Sequence, residues 1–228
     1  MNLSSIEGSP SLDVVNLVLQ KRARGEKVIS LAIGDPESNT PPEIVDAAYS
    51  AMQSGDVHYI PASGLPGVRR AISEKVRRKN GISADPSETV FLTTKLAVYA
   101  TLFAVSEPGY EVLVPDPGYF YSEPTILTGG KPVRYKLTKD FALDVSEISK
   151  KVSGKTKAIM VNSPSNPTGS VLSKSELKEL YDFCLEREIC IVSDDAYEDL
   201  VYDGASHVAV GSLESKPNIV VSIFSLSK

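Results

Sequence analysis

Ala158-Ile159-Met160-Val161-Asn162-Ser163-Pro164-Ser165-Asn166-Pro167-Thr168-Gly169 passes from an unbroken apolar run into a polar, proline-punctuated turn. Continuous apolar character marks a strand covered on both faces, and the turn chemistry marks where it opens into a loop. Similar runs recur on either side, at Val28–Ile33, Thr89–Thr93, Glu111–Pro115, Pro132–Tyr135, Ile189–Ser193 and Asn218–Ile223. Helical patterns separate them. Thr40 ahead of Pro41-Pro42-Glu43 reads as a capping box with proline in the first turn, and Gly55 as that helix's stop. Asp144 with Glu147, and Ser173 with Glu176, read as further helix starts. This alternation predicts an α/β fold of three layers, α/β/α, around a mostly parallel sheet. Ser11 to Arg24 is an amphipathic helix carrying Leu12, Val15, Val18 and Leu19 on one side and ended by Gly25. It predicts an N-terminal helical arm, with residues 1–40 set apart from a main domain over 41–228 at a boundary near Pro41.

Composition narrows the function. A length of 228 residues allows one sizeable core and a small second lobe. A net charge of -5 gives no reason to expect nucleic acid. The densest basic run, Arg69-Arg70 through Lys75 to Arg77-Arg78-Lys79, reads as a solvated helix face broken by Glu74. Cys184 and Cys190 are the only cysteines, which fits buried thiols of a reducing compartment. His58 and His207 lack any ligand pattern, so no metal site is expected. Neither a secretory leader nor an apolar run of membrane-spanning length is legible, and the expected location is cytoplasmic, with no membrane partner.

Ligands of parallel sheets gather beyond the C-terminal ends of the strands. Three polar motifs stand at such ends: Asn162 to Gly169, Asp194-Asp195-Ala196-Tyr197, and Ser225-Leu226-Ser227-Lys228. Together they supply what a pyridine-aldehyde cofactor needs. A lysine can form an imine, a carboxylate can keep a ring nitrogen protonated, and an amide and a phenol can bond a ring oxygen. Read singly, each has a plainer role. Asp194 alone would cap a turn, Tyr197 would be a half-buried aromatic, and Lys228 a frayed, solvated terminus. Beside Asp194, Asp195 reads as the better cap.

In this order the motifs resemble the class I/II aminotransferases, fold-type I pyridoxal-phosphate enzymes of the aspartate aminotransferase kind. The resemblance implies Lys228 as the Schiff-base lysine and Asp194 as partner of the ring nitrogen. Asn166 and Tyr197 would donate to the ring oxygen, and Ser225 would meet the cofactor phosphate. The stretch from Asn162 matches the family's N-P-x-N-P-T-G apart from Ser163, and the Asn166–Pro167 bond is expected to be cis. Upstream, Tyr119 in Asp116-Pro117-Gly118-Tyr119 resembles the aromatic that stacks on the ring. Tyr59 resembles the tyrosine that reaches a neighbouring subunit's phosphate, which implies a homodimer. Gly34, in Ala32-Ile33-Gly34-Asp35-Pro36, falls where the family brings backbone close to the substrate carboxylate. The implied activity is pyridoxal 5'-phosphate-dependent transfer of an amino group between a 2-amino acid and a 2-oxo acid, both of them small-molecule partners.

Two departures qualify the resemblance. After Thr93-Thr94 the family has a glycine-containing turn that holds the cofactor phosphate on a helix N-terminus, whereas here Lys95-Leu96-Ala97 follows directly. By alignment this segment is shorter than the family's, and Lys95 would supply part of the positive charge that a phosphate needs there. The sequence also stops at Lys228, ahead of the family's second phosphate arginine and its substrate-carboxylate arginine. A truncated, catalytically incompetent fragment or binding remnant therefore stands as one alternative, and a β-lyase or synthase on the same fold as another.

Overall fold

The computed structural model describes residues 10–31, 34, 38–105, 107, 109–213 and 219–228. The chain parts into two compact units, Gly8–Leu65 and Pro66–Lys228. The expected boundary near Pro41 falls inside the first unit, ahead of its second helix.

In the first unit, α1 spans Pro10–Ala23 and α2 spans Pro42–Gln53. Gly25 and Gly55 follow them with φ of 82° and 81°, left-handed values that glycine adopts without a Cβ penalty. The capping box read at Thr40 does not form. Pro41 occupies the N-cap, and no side chain caps α2. Val28 to Leu31 form no strand, Ile29 and Leu31 are exposed, and the rest of that expected strand, Ala32 and Ile33, lies outside the described residues. An apolar run becomes a strand only where another strand completes its hydrogen bonds.

The second unit holds one sheet of five strands in the order β2-β1-β3-β4-β5, with every pair parallel. They are β1 Glu111–Asp116, β2 Lys131–Lys136, β3 Thr156–Asn162, β4 Cys190–Asp194 and β5 Val220–Ile223. Thr89 to Thr93 is extended at its two ends but pairs with no described strand. The helices of this unit are α3 Pro66–Lys75, α4 Thr94–Ala104, α5 Ser122–Leu127, α6 Val145–Ser149 and α7 Lys174–Glu186. Alternation along the strands divides the core in two. Leu113, Ile159, Val161 and Ile191 pack with Ile148 of α6 and Leu177, Leu180 and Tyr181 of α7. Val112, Val114, Met160 and Val192 pack with Val98 and Leu102 of α4. The β3 run is apolar throughout because both of its faces are covered. The fold is the three-layer α/β/α arrangement expected.

Candidate active site

Register brings the chemistry-bearing residues abreast. Asn162 lies opposite Asp194, and Asp194 opposite Ile223, so β3, β4 and β5 end level with one another. The turns that follow carry Asn166, Tyr197 and Lys228 from this one edge.

Asn162 couples the first two turns. Its buried side chain donates from Nδ2 to the Asp194 carbonyl at 2.8 Å, while its Oδ1 accepts from the Asn166 amide at 2.7 Å. Asn166–Pro167 is cis, as are Ser163–Pro164 and Asp116–Pro117. Ser163, the position that departs from the family pattern, is buried and accepts from the Leu172 amide at 2.9 Å, tying the turn back onto the unit. Asn166 then donates from Nδ2 to the Tyr197 hydroxyl at 3.5 Å. That contact is long enough for both groups to share a better acceptor between them. Burial pushes the Tyr197 phenol up, against the lowering effect of Asn166, so it remains a donor. The Lys228 ammonium lies 5.7 Å from the Tyr197 ring centroid.

Asp194 is buried at the end of β4. Its Oδ1 accepts from the Ala196 amide at 3.2 Å and its Oδ2 from the Tyr121 hydroxyl at 2.7 Å. Burial raises its carboxyl above the ordinary value, while the Tyr121 and Ala196 hydrogen bonds work the other way. An ionised carboxylate has about four acceptor sites, so two donors leave room for a ring N–H. Tyr119, 37% exposed, meets Tyr121 edge-on with ring centroids 5.4 Å apart.

The capping role read for Asp195 falls to Asp194, which keeps its place at the edge of the sheet. Asp194 makes the turn contact, to Ala196. Asp195 is buried, accepting from Ser193 at 3.1 Å and pairing with His207 Nε2 at 3.0 Å. Its Oδ2 has no hydrogen-bond partner. The basic run also changes meaning. Lys75 and Lys79 both pair with the buried Glu198, just past Tyr197, and Lys75 sits 4.0 Å over the Phe224 ring. Asn80 adds a bond to Glu198 at 2.6 Å. These cations hold the end of α3 against the turns that carry the site.

The phosphate end departs from the ring end. Thr93 is the N-cap of α4 without a side-chain cap, and the helix starts at Thr94 with no glycine turn. Lys95 pairs with Glu123 at 3.1 Å, and Tyr99 donates to the other Glu123 oxygen at 3.1 Å. Burial works against the Lys95 charge, but Glu123 outweighs it and holds the amine above its ordinary value. Ser225 shares a 2.7 Å hydrogen bond with Ser227. Among the described residues the donor set thus fits a pyridine ring with a protonated nitrogen and an anionic oxygen, and the start of α4 offers no glycine cradle for a phosphate. Tyr59 is fully exposed in the first unit. Gly34 belongs to that unit too, with its neighbours Ile33 and Asp35 outside the described residues. No group of three or more His, Cys, Asp or Glu among the described residues could hold a metal ion.

The model of the family "Aminotransferase class I and II" matches residues 26–228. This chain is a class I/II aminotransferase family member. It is 40% identical to the aspartate aminotransferase of Pyrococcus abyssi, over 96% of this chain and 59% of that protein. It is 37% identical to the probable aspartate/prephenate aminotransferase of Aquifex aeolicus, over 99% of this chain and 59% of that protein. Thermus thermophilus aspartate aminotransferase with maleate superposes with a TM-score of 0.94 at 32% identity, over 99% of this chain and 59% of that one. The chain therefore spans about 59% of the length of these relatives. The family is generally pyridoxal-phosphate dependent.

Two contributors escaped the sequence reading. Tyr121 is hidden because it sits two residues past Tyr119, where it reads as one more aromatic of a Tyr-Phe-Tyr run. His207 is hidden because its partner is distant in sequence. Asn162 had a signal, the first asparagine of its motif, but its bridging role needs the register.

Proposed function

We propose that this chain takes part in pyridoxal 5'-phosphate-dependent transfer of an amino group between a 2-amino acid and a 2-oxo acid. The observation that carries it is the convergence of Asn166, Asp194, Tyr197 and Lys228 beyond one edge of a parallel sheet. Pyridoxal phosphate, when bound, supplies the electron sink for the pair left at a substrate α-carbon. The chain's own groups do the rest. Asp194 would hold the proton on the ring nitrogen by charge pairing, and Asn166 and Tyr197 would donate to the ring oxygen. Tyr119 would cover a ring face, and Ser225 and Lys95 would meet the phosphate. Lys228 would be the covalent anchor, and its freed amine would take the substrate α-proton at Nζ. The relatives' names make aspartate the first donor to try. Gly34 would lie by the substrate carboxylate, and Tyr59 would serve the partner site in a cytoplasmic homodimer.

The missing glycine turn favours a second reading, a non-catalytic binding remnant. The first test is titration with pyridoxal phosphate, followed by borohydride reduction and mapping of the labelled peptide. Labelling confined to Lys228, and lost in Lys228→Ala, is expected. Scattered labelling across the surface lysines would overturn the proposal. Turnover with aspartate and a 2-oxo acid would exclude the remnant.

A further inference from the structure

Tyr121 lies outside every motif that pointed to the site. Its ring belongs to the apolar core between α4 and the sheet and is 1% exposed, yet its hydroxyl ends on Asp194 Oδ2 at 2.7 Å. A phenol is seldom placed in such a core without a partner for its hydroxyl. The surroundings fix it. Thr125 Oγ1 donates to the Tyr121 carbonyl at 2.8 Å, and the Tyr119 ring packs edge-on at 5.4 Å. The proton of the pair stays on the phenol. Burial first, and then the neighbouring Asp194, push Tyr121 well above its ordinary value. Tyr121 is therefore the donor, and Asp194 the acceptor, throughout the range in which a carboxyl titrates.

The facing groups show what this donor does. Asp194 is met by Asp195 on its own strand end, by Tyr121 on the segment after β1, and by Tyr197 on the turn after β4. The Asp195 charge opposes ionisation of Asp194, and so does burial. The two donors that oppose them are Tyr121 and the Ala196 amide, and the latter contact is the longer, at 3.2 Å. Without the Tyr121 hydroxyl, a buried carboxylate would rely on that amide alone.

We propose that Tyr121 is a positioning residue for this site, whose hydroxyl fixes the orientation of the Asp194 carboxylate and keeps it ionised before any ring nitrogen arrives. The inference rests on the reading above that Asp194 meets the cofactor ring. It assigns Tyr121 no contact with substrate or cofactor. The hydroxyl acts through Asp194, and the ring nitrogen would dock on an acceptor already charged and turned.

The test follows Asp194 directly in the full chain without cofactor. Aspartate labelled with carbon-13 at Cγ gives a pH titration by NMR, with Asp194 assigned by its loss in Asp194→Asn. Tyr121→Phe should raise the Asp194 midpoint by about one to two pH units, the worth of a hydrogen bond to a charged group. Tyr99→Phe, which removes a nearby phenol from Glu123, should leave it in place. An unmoved midpoint in Tyr121→Phe, or an equal shift in Tyr99→Phe, overturns the inference. Should Tyr121→Phe fail to fold, 3,5-difluorotyrosine at position 121 keeps the ring and sharpens the donor. The midpoint should then fall, and an unchanged value overturns the inference equally. The function is tested separately, by the visible band on adding pyridoxal phosphate. No band in the parent chain sinks the aminotransferase reading, whereas a band with an unmoved Asp194 sinks only the role of Tyr121.

Discussion

Asp194 and Asp195 are adjacent buried carboxylates, and their hydrogen-bond partners are what separate them. Asp194 has two donors and faces the edge of the sheet, whereas Asp195 is turned into the protein, where His207 and Ser193 meet one oxygen and nothing meets the other. Burial raises the Asp195 carboxyl and the His207 contact opposes that rise. A buried charge that loses its partner costs more than the pair contributed. His207→Ala should therefore destabilise the chain by about 3 kcal/mol, measured by urea unfolding at neutral pH. Asp195→Asn combined with His207→Ala should restore part of that loss, because no buried charge is left unpaired. A double variant as weak as the single one would show that shape, not charge, holds this loop. None of this was legible in the sequence. The Asp-Asp-Ala-Tyr motif points through its resemblance to Asp194 but says nothing of what Asp195 pairs with, and His207 has no neighbour that signals a partner. The placement of Lys228, Asn166 and Tyr197 beyond one sheet edge was legible because strand ends, turn residues and reactive groups coincide at each of them.

At the scale of elements, local capping chemistry was read correctly where the cap is a side chain and wrongly where proline pre-empts it. Ser173 and Glu176 form a reciprocal box at the start of α7, and Asp144 caps α6 through the Glu147 amide. At α2, Pro41 takes the N-cap that Thr40 was expected to fill. Thr89 to Thr93 has strand-like composition without a described partner, and composition carries no information on pairing. Glu176 goes beyond its own helix, since Oε1 also accepts from the Leu143 amide at 2.9 Å. Burial works against the Glu176 charge, but the Ser173 and Leu143 bonds outweigh it and hold the carboxyl below its ordinary 4.5. A depressed carboxyl stabilises the fold above its unfolded value, and that share is lost as pH falls through the folded one. Glu176→Gln should flatten the loss of stability on acidification below about pH 4.5. Ser173→Ala should cost about 1 kcal/mol, the usual worth of an N-cap. Urea midpoints across pH 3 to 7, on the order of the range where carboxylates titrate, would check both. An unaltered acid limb in Glu176→Gln would mean that other carboxylates govern it.

Across the whole molecule, stability is unevenly placed, and the sequence shows why. Most of the apolar runs lie in Pro66–Lys228, where helices cover both faces of the sheet and side chains such as Leu113, Ile159 and Leu180 are fully buried. In Gly8–Leu65 the helix α2 has no buried residue, and Ile44, Val45, Tyr49 and Met52 are all exposed. The contact division falls after Leu65, whereas the sequence offered a boundary near Pro41. Helix periodicity shows that α2 is amphipathic, but not whether its apolar face is used. Local opening is controlled by such burial, so amide exchange should report the same division. Amides of Val112 to Val114, Ile159 to Val161 and Ile191 to Ser193, in the central strands, should exchange slowest. Those of Pro42 to Gln53 should exchange faster by about a hundredfold or more, because their opening exposes little that is not already exposed. Hydrogen-exchange mass spectrometry on the full chain resolves these peptides. Equal protection of α2 and the central strands would mean that its apolar face is covered in solution, and repeating the measurement across protein concentrations would show whether a second copy covers it.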